Sequence, residues 1–177
     1  MNVFFVDLDP ELAAQSLCDA HVVKMILESY ELLAINDYMN QIHEPLLRLC
    51  KDKDESCKQF VKHYGKHPER IALSISEVNR MWLIFHLHGL INEFQYRFQH
   101  EHKTGVLAQH FYSVSIPQIN FCLNTPTFPL AMIPECKLSE DQDSIPFRVL
   151  SYRKYYQHKA KVLPRFIYTK RTPPIWL

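Results

Sequence analysis

Cys18-Asp19-Ala20-His21-Val22-Val23-Lys24-Met25-Ile26-Leu27-Glu28 decides how this chain is read. The stretch reads as one helical segment. On a helix of about 3.6 residues per turn His21, Lys24 and Glu28 stand at i, i+3 and i+7, in one narrow stripe. Val22, Val23, Ile26, Leu27, Tyr30 and Leu33 take the opposite side. The segment is expected to anchor by its apolar side and to offer His21, Lys24 and Glu28 from the other, with Asp19 beside them.

Outward from this stretch the pattern stays helical. Asp9 is a good N-cap with Pro10 at the first helical position, which predicts a helix over 10–17. The Cys18 segment continues it to about Ile35, where Asn36-Asp37 is expected to break it. Shorter helices are predicted over 44–49 and 55–64, the second stopped at Gly65. His67-Pro68 opens another. The longest is expected over 76–100, capped by Ser76, with further helices over 103–114 and 147–163 before Pro164. Val3-Phe4-Phe5-Val6 reads as a brief strand or extended lead-in. Residues 116–134 read as an ordered irregular loop, 138–144 as polar and acidic, and 164–177 as an extended basic arm. The fold class is mainly α: a single domain, 1–177, built as a bundle of about six to seven helices with a short extended N-terminus.

Composition narrows the function. The chain has 177 residues, 47% of them apolar, which is enough for one core. Only 3 residues are glycine, and neither phosphate-loop fingerprint occurs. The run from Met81 to Ile91 is too short to span a bilayer and contains His86 and His88. No secretory leader is recognisable, so a cytoplasmic protein without a membrane partner is expected. The 5 cysteines are odd in number and form no CxxC pair, which predicts reduced thiols. Cys18-x-x-His21, His100-x-His102 and His63 with His67 are partial metal patterns. None is complete, and no metal or other cofactor is expected.

The net charge of +1 hides an asymmetry. From Ser144 onward there is no acidic residue and eight basic ones, so that segment carries about +8 and the remainder about −7. The basic end reads either as a polyanion-binding surface or as a segment docked on the acidic remainder.

Three constellations carry candidate chemistry. His21, Lys24, Glu28 and Asp19 combine a proton-transfer group, an amine nucleophile and orienting carboxylates; Lys24 and Glu28 also fit a plain surface pair at i, i+4. Asn79, His86, Glu93 and Arg97 form a polar stripe on an otherwise apolar helix. They read either as a core network or as a pocket lining for substrate. Arg148, Tyr152, Tyr155 and Lys159 share a face of the C-terminal helix, with Arg153, Lys154, Lys161 and Arg165 widening the positive surface. Cations beside aromatic rings suit phosphate contact and base stacking; the other reading packs the tyrosines inward.

The opening Asp-x-Asp-Pro at Asp7 to Pro10, followed by Cys-Asp-x-His-Val-Val-Lys-Met-x-x-Glu, resembles a family of small proteins encoded by tailed phages and other large DNA viruses. His67-Pro68, Asn79-x-x-Trp82-Leu83, Glu93, Arg97, His102-Lys103, the proline loop 126–134, Tyr152-Arg153-x-Tyr155-Tyr156-x-x-Lys159 and Pro174-x-Trp176 are similar too. Ala72 and Ser74 depart from the pattern, which has an aromatic residue and an arginine there. The resemblance implies viral DNA metabolism and no particular reaction. The expected function is an enzyme acting on DNA or nucleotides, with base removal or exchange favoured. His21, Lys24, Glu28 and Asp19 would be catalytic. Asn79, Glu93, Arg97, Arg148, Tyr152, Arg153, Tyr155 and Lys159 would bind substrate. The alternatives are a non-catalytic nucleic-acid-binding modulator and a binder of a small nucleotide ligand.

Overall fold

The computed structural model describes residues 2–113, 121, 125–138 and 147–177. Helix α6 (Glu77–Phe98) is the axis of the fold. It packs against α1 (Pro10–Gln15), α2 (Asp19–Met39), α5 (Pro68–Ile75) and α7 (Lys103–Phe111). Helices α3 (Glu44–Leu49) and α4 (Asp54–Tyr64) pack on α2, and α8 (Phe147–Val162) follows a 3-10 turn at Pro134–Cys136. The described residues thus form eight α-helices and no strand, the mainly α bundle expected from the sequence, with one or two more helices than expected. The segment Val3 to Val6 forms neither helix nor strand and turns tightly at Phe4, and it is fully part of the core.

Burial on most sides explains why α6 carries so few obvious face signals. Trp82, Leu83, Leu87 and Leu90 are enclosed together with the polar Asn79, His86, Glu93 and Arg97. Ser76 caps the helix start by accepting from Asn79 N, and Gln99 ends it in the left-handed region at φ 59. Gly89 marks where α1 crosses: a Cβ there would lie 3.1 Å from Ala14 Cβ and 3.3 Å from Glu11 Cα. The missing side chain permits the close approach, which offsets the helix penalty of about 1 kcal/mol for glycine.

Two expectations about α2 are corrected. Asn36-Asp37 does not break it; the helix runs to Met39. Asp37 is accommodated because the Tyr112 hydroxyl donates to its Oδ2 at 2.9 Å and Arg80 lies 3.4 Å from its Oδ1. The orientation of the helix differs too. His21 turns inward and is only 8% exposed, whereas Val23 and Leu27 face outward. Tyr156 on α8 supplies the partner that lets an imidazole sit inside.

Residues 163–177 contain no helix and cross the body as a strap. Asp19 N donates to Ile167 O at 2.8 Å, the Tyr168 hydroxyl to Ser16 O at 3.0 Å, and Thr169 Oγ1 to Asp19 Oδ2 at 2.7 Å. Arg171 closes a paired contact on Glu93, both bonds at 2.9 Å. Glu93 also receives Arg97 Nε at 2.7 Å, and Arg97 reaches Leu17 O, Gln15 O and Asp19 Oδ1. One buried guanidinium therefore ties α6 to the α1–α2 corner, and the strap closes over the pair. Breaking such a pair leaves a buried charge uncompensated and costs about 3–5 kcal/mol. Arg97→Ala is expected to lose stability on that scale in urea denaturation, while the exposed pair variant Lys58→Ala unfolds close to the parent.

Candidate active site

His21 sits in the first turn of α2, enclosed by rings. Phe4 lies 4.6 Å away between centroids, Tyr156 5.3 Å and Phe166 6.0 Å. Phe4 holds its place through an unusual backbone, φ 51, with Val6 N donating to Phe4 O at 2.7 Å. A bulky residue in this region costs on the order of 1–3 kcal/mol, a strain that concentrates at functional sites.

The protonation of His21 follows from its partners. Cys18 N donates to the Tyr156 hydroxyl at 2.8 Å, and that hydroxyl lies 2.9 Å from His21 Nδ1. The hydroxyl can donate to Nδ1, which puts the ring proton on Nε2, or accept from Nδ1–H in the other tautomer. Burial, with Lys24 and Lys159 nearby, pushes the imidazole down to about 4. His21 is therefore a neutral imidazole near pH 7. The Cys18 thiol, 3.4 Å from Nδ1, completes this inward contact set.

A second set lies on the outer flank of the same helix. Lys24 Nζ is 2.9 Å from Glu28 Oε1; the lysine side chain is 64% exposed, the glutamate 13%. Burial first, then the neighbouring Glu28 charge, raises Glu31 to about 7, with Lys24 opposing. His67, the N-cap of α5, is lowered by burial, while Glu28 acts the other way on it. An accessible amine, a shielded carboxylate and a carboxyl poised to carry a proton thus share one place. Sequence reading found Lys24 and Glu28 and missed Glu31 and His67. Glu31 sits three residues after Glu28 and was visible only as another polar helix residue.

Asp19 belongs elsewhere. Burial raises its pKa, but hydrogen bonds from the Thr169 hydroxyl and amide and from Arg97 prevail, and the carboxyl is held below its usual range. It is a junction between strap and α6. Asn79, Glu93 and Arg97 do not join His21 in one pocket, a correction to the reading of that stripe as a substrate lining. Asn79 donates to Ala72 O at 3.1 Å and accepts from Thr127 N at 2.7 Å, fixing α5 and the 125–130 segment to α6. His86 is fully buried, stacked on Trp82 at 4.8 Å, and burial drives it down to about 3.

The α8 set also divides. Tyr152 is fully buried and cannot stack on a base, which corrects that expectation. Its hydroxyl lies 3.0 Å from Glu69 Oε1 and 2.7 Å from Pro129 O. One proton cannot serve two acceptors. A protonated Glu69 that donates to Tyr152, which donates to Pro129 O, satisfies both contacts. Burial raises Glu69 to about 8, in agreement. Nothing in the sequence separates Glu69 from an ordinary first-turn carboxylate at a helix start. Arg153 donates to Val6 O and Asp7 Oδ2 and lies 5.2 Å over the Trp176 ring, so it clamps the N-terminal segment. Arg148 lies over Phe147 at 4.5 Å. Only Tyr155 and Lys159 face the His21 region: Lys159 Nζ is 5.2 Å over the Tyr155 ring, which stacks on Phe4 at 6.2 Å.

Among the described residues no group of three or more His, Cys, Asp or Glu side chains is placed to hold a metal, and no helix is long and apolar enough to cross a membrane. Cys18, Cys50, Cys57 and Cys136 are free thiols; Cys122 and residues 139–146 lie outside the described residues. Comparison with family models, curated proteins and solved structures finds no match.

Two titration outcomes follow. His21 is expected to stay neutral down to about pH 4, visible in ring nitrogen shifts, and Lys159→Gln to raise that midpoint only modestly, since burial is the larger cause. Glu69 is raised, so the folded state holds its proton where the unfolded chain has lost it. Its contribution is full below about 4.5 and is lost as pH rises through about 8. The stability difference between the parent and Glu69→Gln should fall across that window and level off above it. A flat difference would mean that Glu69 is ionised in the fold.

Proposed function

We propose that this chain removes or exchanges a base in DNA, with the Lys24–Glu28–Glu31 group as its reacting centre. The observation that carries the reading is that group: an exposed amine 2.9 Å from a shielded carboxylate, beside a second carboxyl raised to about 7. Base removal by an amine needs these three parts. Glu28 takes the proton that must leave the Lys24 ammonium. The freed amine attacks C1′ of the nucleotide, and the glycosidic bond breaks with its electron pair passing to the base. Glu31 supplies the proton that the departing base takes up. An acid near neutral pH suits that step. The sugar ring then opens, the C1′–O4′ bond breaking as O4′ takes a proton and the nitrogen loses one, and the resulting imine on Lys24 is hydrolysed or leads to strand cleavage.

His21 contributes as a neutral ring beside the reacting centre, able to offer a hydrogen bond without carrying charge. The charge of the C-terminal segment supplies affinity. Two of its eight cations, Arg153 and Arg171, are spent on Asp7 and Glu93. Arg148, Lys154, Lys159, Lys161, Arg165 and Lys170 make no ion pair with a described residue. The docked reading of the basic end accounts for two cations, and the other six support the reading as a polyanion surface. The resemblance to proteins of tailed phages and large DNA viruses adds a viral setting to this reading.

Borohydride trapping tests it. Duplexes carrying an abasic site, uracil or a modified base, incubated with the protein and reductant, should yield a covalent protein–DNA adduct. Lys24→Ala should abolish the adduct, and Glu28→Gln should slow base release by about 100-fold or more while duplex affinity persists. Absence of adduct and of base release on every duplex would overturn the enzyme reading. The unpaired cations favour a non-catalytic DNA binder as the second reading. There, Lys24→Ala leaves affinity intact and no adduct forms.

A further inference from the structure

Residues 163–177 lie on the bundle without entering it. None of them is fully buried, and their backbone forms no helix. Leu163 N donates to Lys159 O at 2.9 Å in the last turn of α8, and the next two residues, Pro164 and Arg165, are exposed. From there the strap is held by its bonds to Ser16, Asp19 and Glu93 and by two more at Tyr96. Lys170 Nζ donates to Tyr96 O at 3.0 Å, and the Tyr96 hydroxyl donates to Lys170 O at 3.2 Å. At the far end Gln157 Nε2 donates to Trp176 O. Lys170 itself is held left-handed at φ 58, a conformation that a free lysine leaves.

We infer that the strap swings off as a unit about Pro164 while the helices stay folded, and that this opening is the gate to the buried Cys18–His21 pair. What carries the inference is that the charged groups and the imidazole beneath the strap each have a second partner inside the bundle. Glu93 keeps Arg97 Nε, Asp19 keeps Arg97 Nη1, and His21 keeps the Tyr156 hydroxyl. Arg153, which lies over the Trp176 ring, keeps Val6 O and Asp7. Lifting the strap therefore strands no buried charge, whereas separating α6 from the α1–α2 corner would. The side chains released, from Tyr168 to Arg171, are already partly exposed and pass into water. A segment with few buried apolar contacts and partly solvated bonds opens at lower free energy than the core helices. What the motion uncovers is specific. Phe166 leaves the His21 ring, and the Ile167 carbonyl leaves Asp19 N beside the fully buried Cys18. Cys18 Sγ lies 3.4 Å from His21 Nδ1, so a thiol and an imidazole become reachable together. The inference is independent of the base-removal reading, whose Lys24 is exposed with the strap docked.

Native-state hydrogen exchange on the full chain tests the opening. The Asp19 and Thr169 amides bond across the seam, to Ile167 O and Asp19 Oδ1. In the parent they should be protected at least about 100-fold less than the Leu87 and Ile91 amides of α6, with a shallower dependence on urea. Thr169→Val/Arg171→Gln should speed Asp19 exchange at least about 10-fold, the effect of losing charge-assisted bonds. Alkylation of Cys18 by N-ethylmaleimide, followed by peptide mass spectrometry, should accelerate by a similar factor. Cys57, buried on α4, is the internal control and should not respond. One protection level and one urea slope shared by the Asp19, Thr169 and α6 amides would overturn the opening. That outcome is read on the parent, so it decides even where the double variant does not fold. Faster Asp19 exchange with unchanged Cys18 alkylation would overturn the gate.

Discussion

A single buried guanidinium holds the architecture in register. Arg97 has no exposed side-chain surface, and its donors go to Glu93, Asp19 and two carbonyls at the α1–α2 corner. Removing two charges from water is tolerable only if every donor and acceptor finds a partner. That requirement sets the angle at which α2 leaves α1 and brings the strap down onto Glu93. The start of α2, and with it His21, is positioned by this demand more than by apolar packing alone.

The same economy of partners separates the chemistry into two layers. Inside, His21 is locked by Tyr156 and ringed by aromatic groups, so its protonation is fixed. Outside, Lys24, Glu28 and Glu31 remain accessible enough to exchange protons and shielded enough for their charges to matter to one another. Two neighbouring turns of one helix thus carry a buried neutral imidazole and a partly exposed ion pair.

Most of the fold was legible in the sequence because helix starts and stops are local. Asp9-Pro10, Ser76, Gly65 and Pro164 each act within a turn of themselves. What was not legible depended on partners remote along the chain. Asn36-Asp37 looked like a break because two polar residues seldom continue a buried helix; Tyr112 and Arg80, supplied by other helices, make it continue. His21 seemed to face solvent because nothing nearby in sequence could satisfy it, and Tyr156 does so from α8. Glu69 gives no signal in the sequence for the same reason. The site was half visible: Lys24 and Glu28 announce themselves by spacing, whereas Glu31 and His67 acquire meaning only from burial.

The strap places the ring of Phe166 against His21 and the Thr169 hydroxyl against Asp19. Translation delivers His21 early and Phe166 long afterwards. A nascent chain on the ribosome therefore carries every group of the reacting centre while the aromatic enclosure around its imidazole is still open. The imidazole is walled in only late, once synthesis has passed the strap and Phe166 and Thr169 can dock.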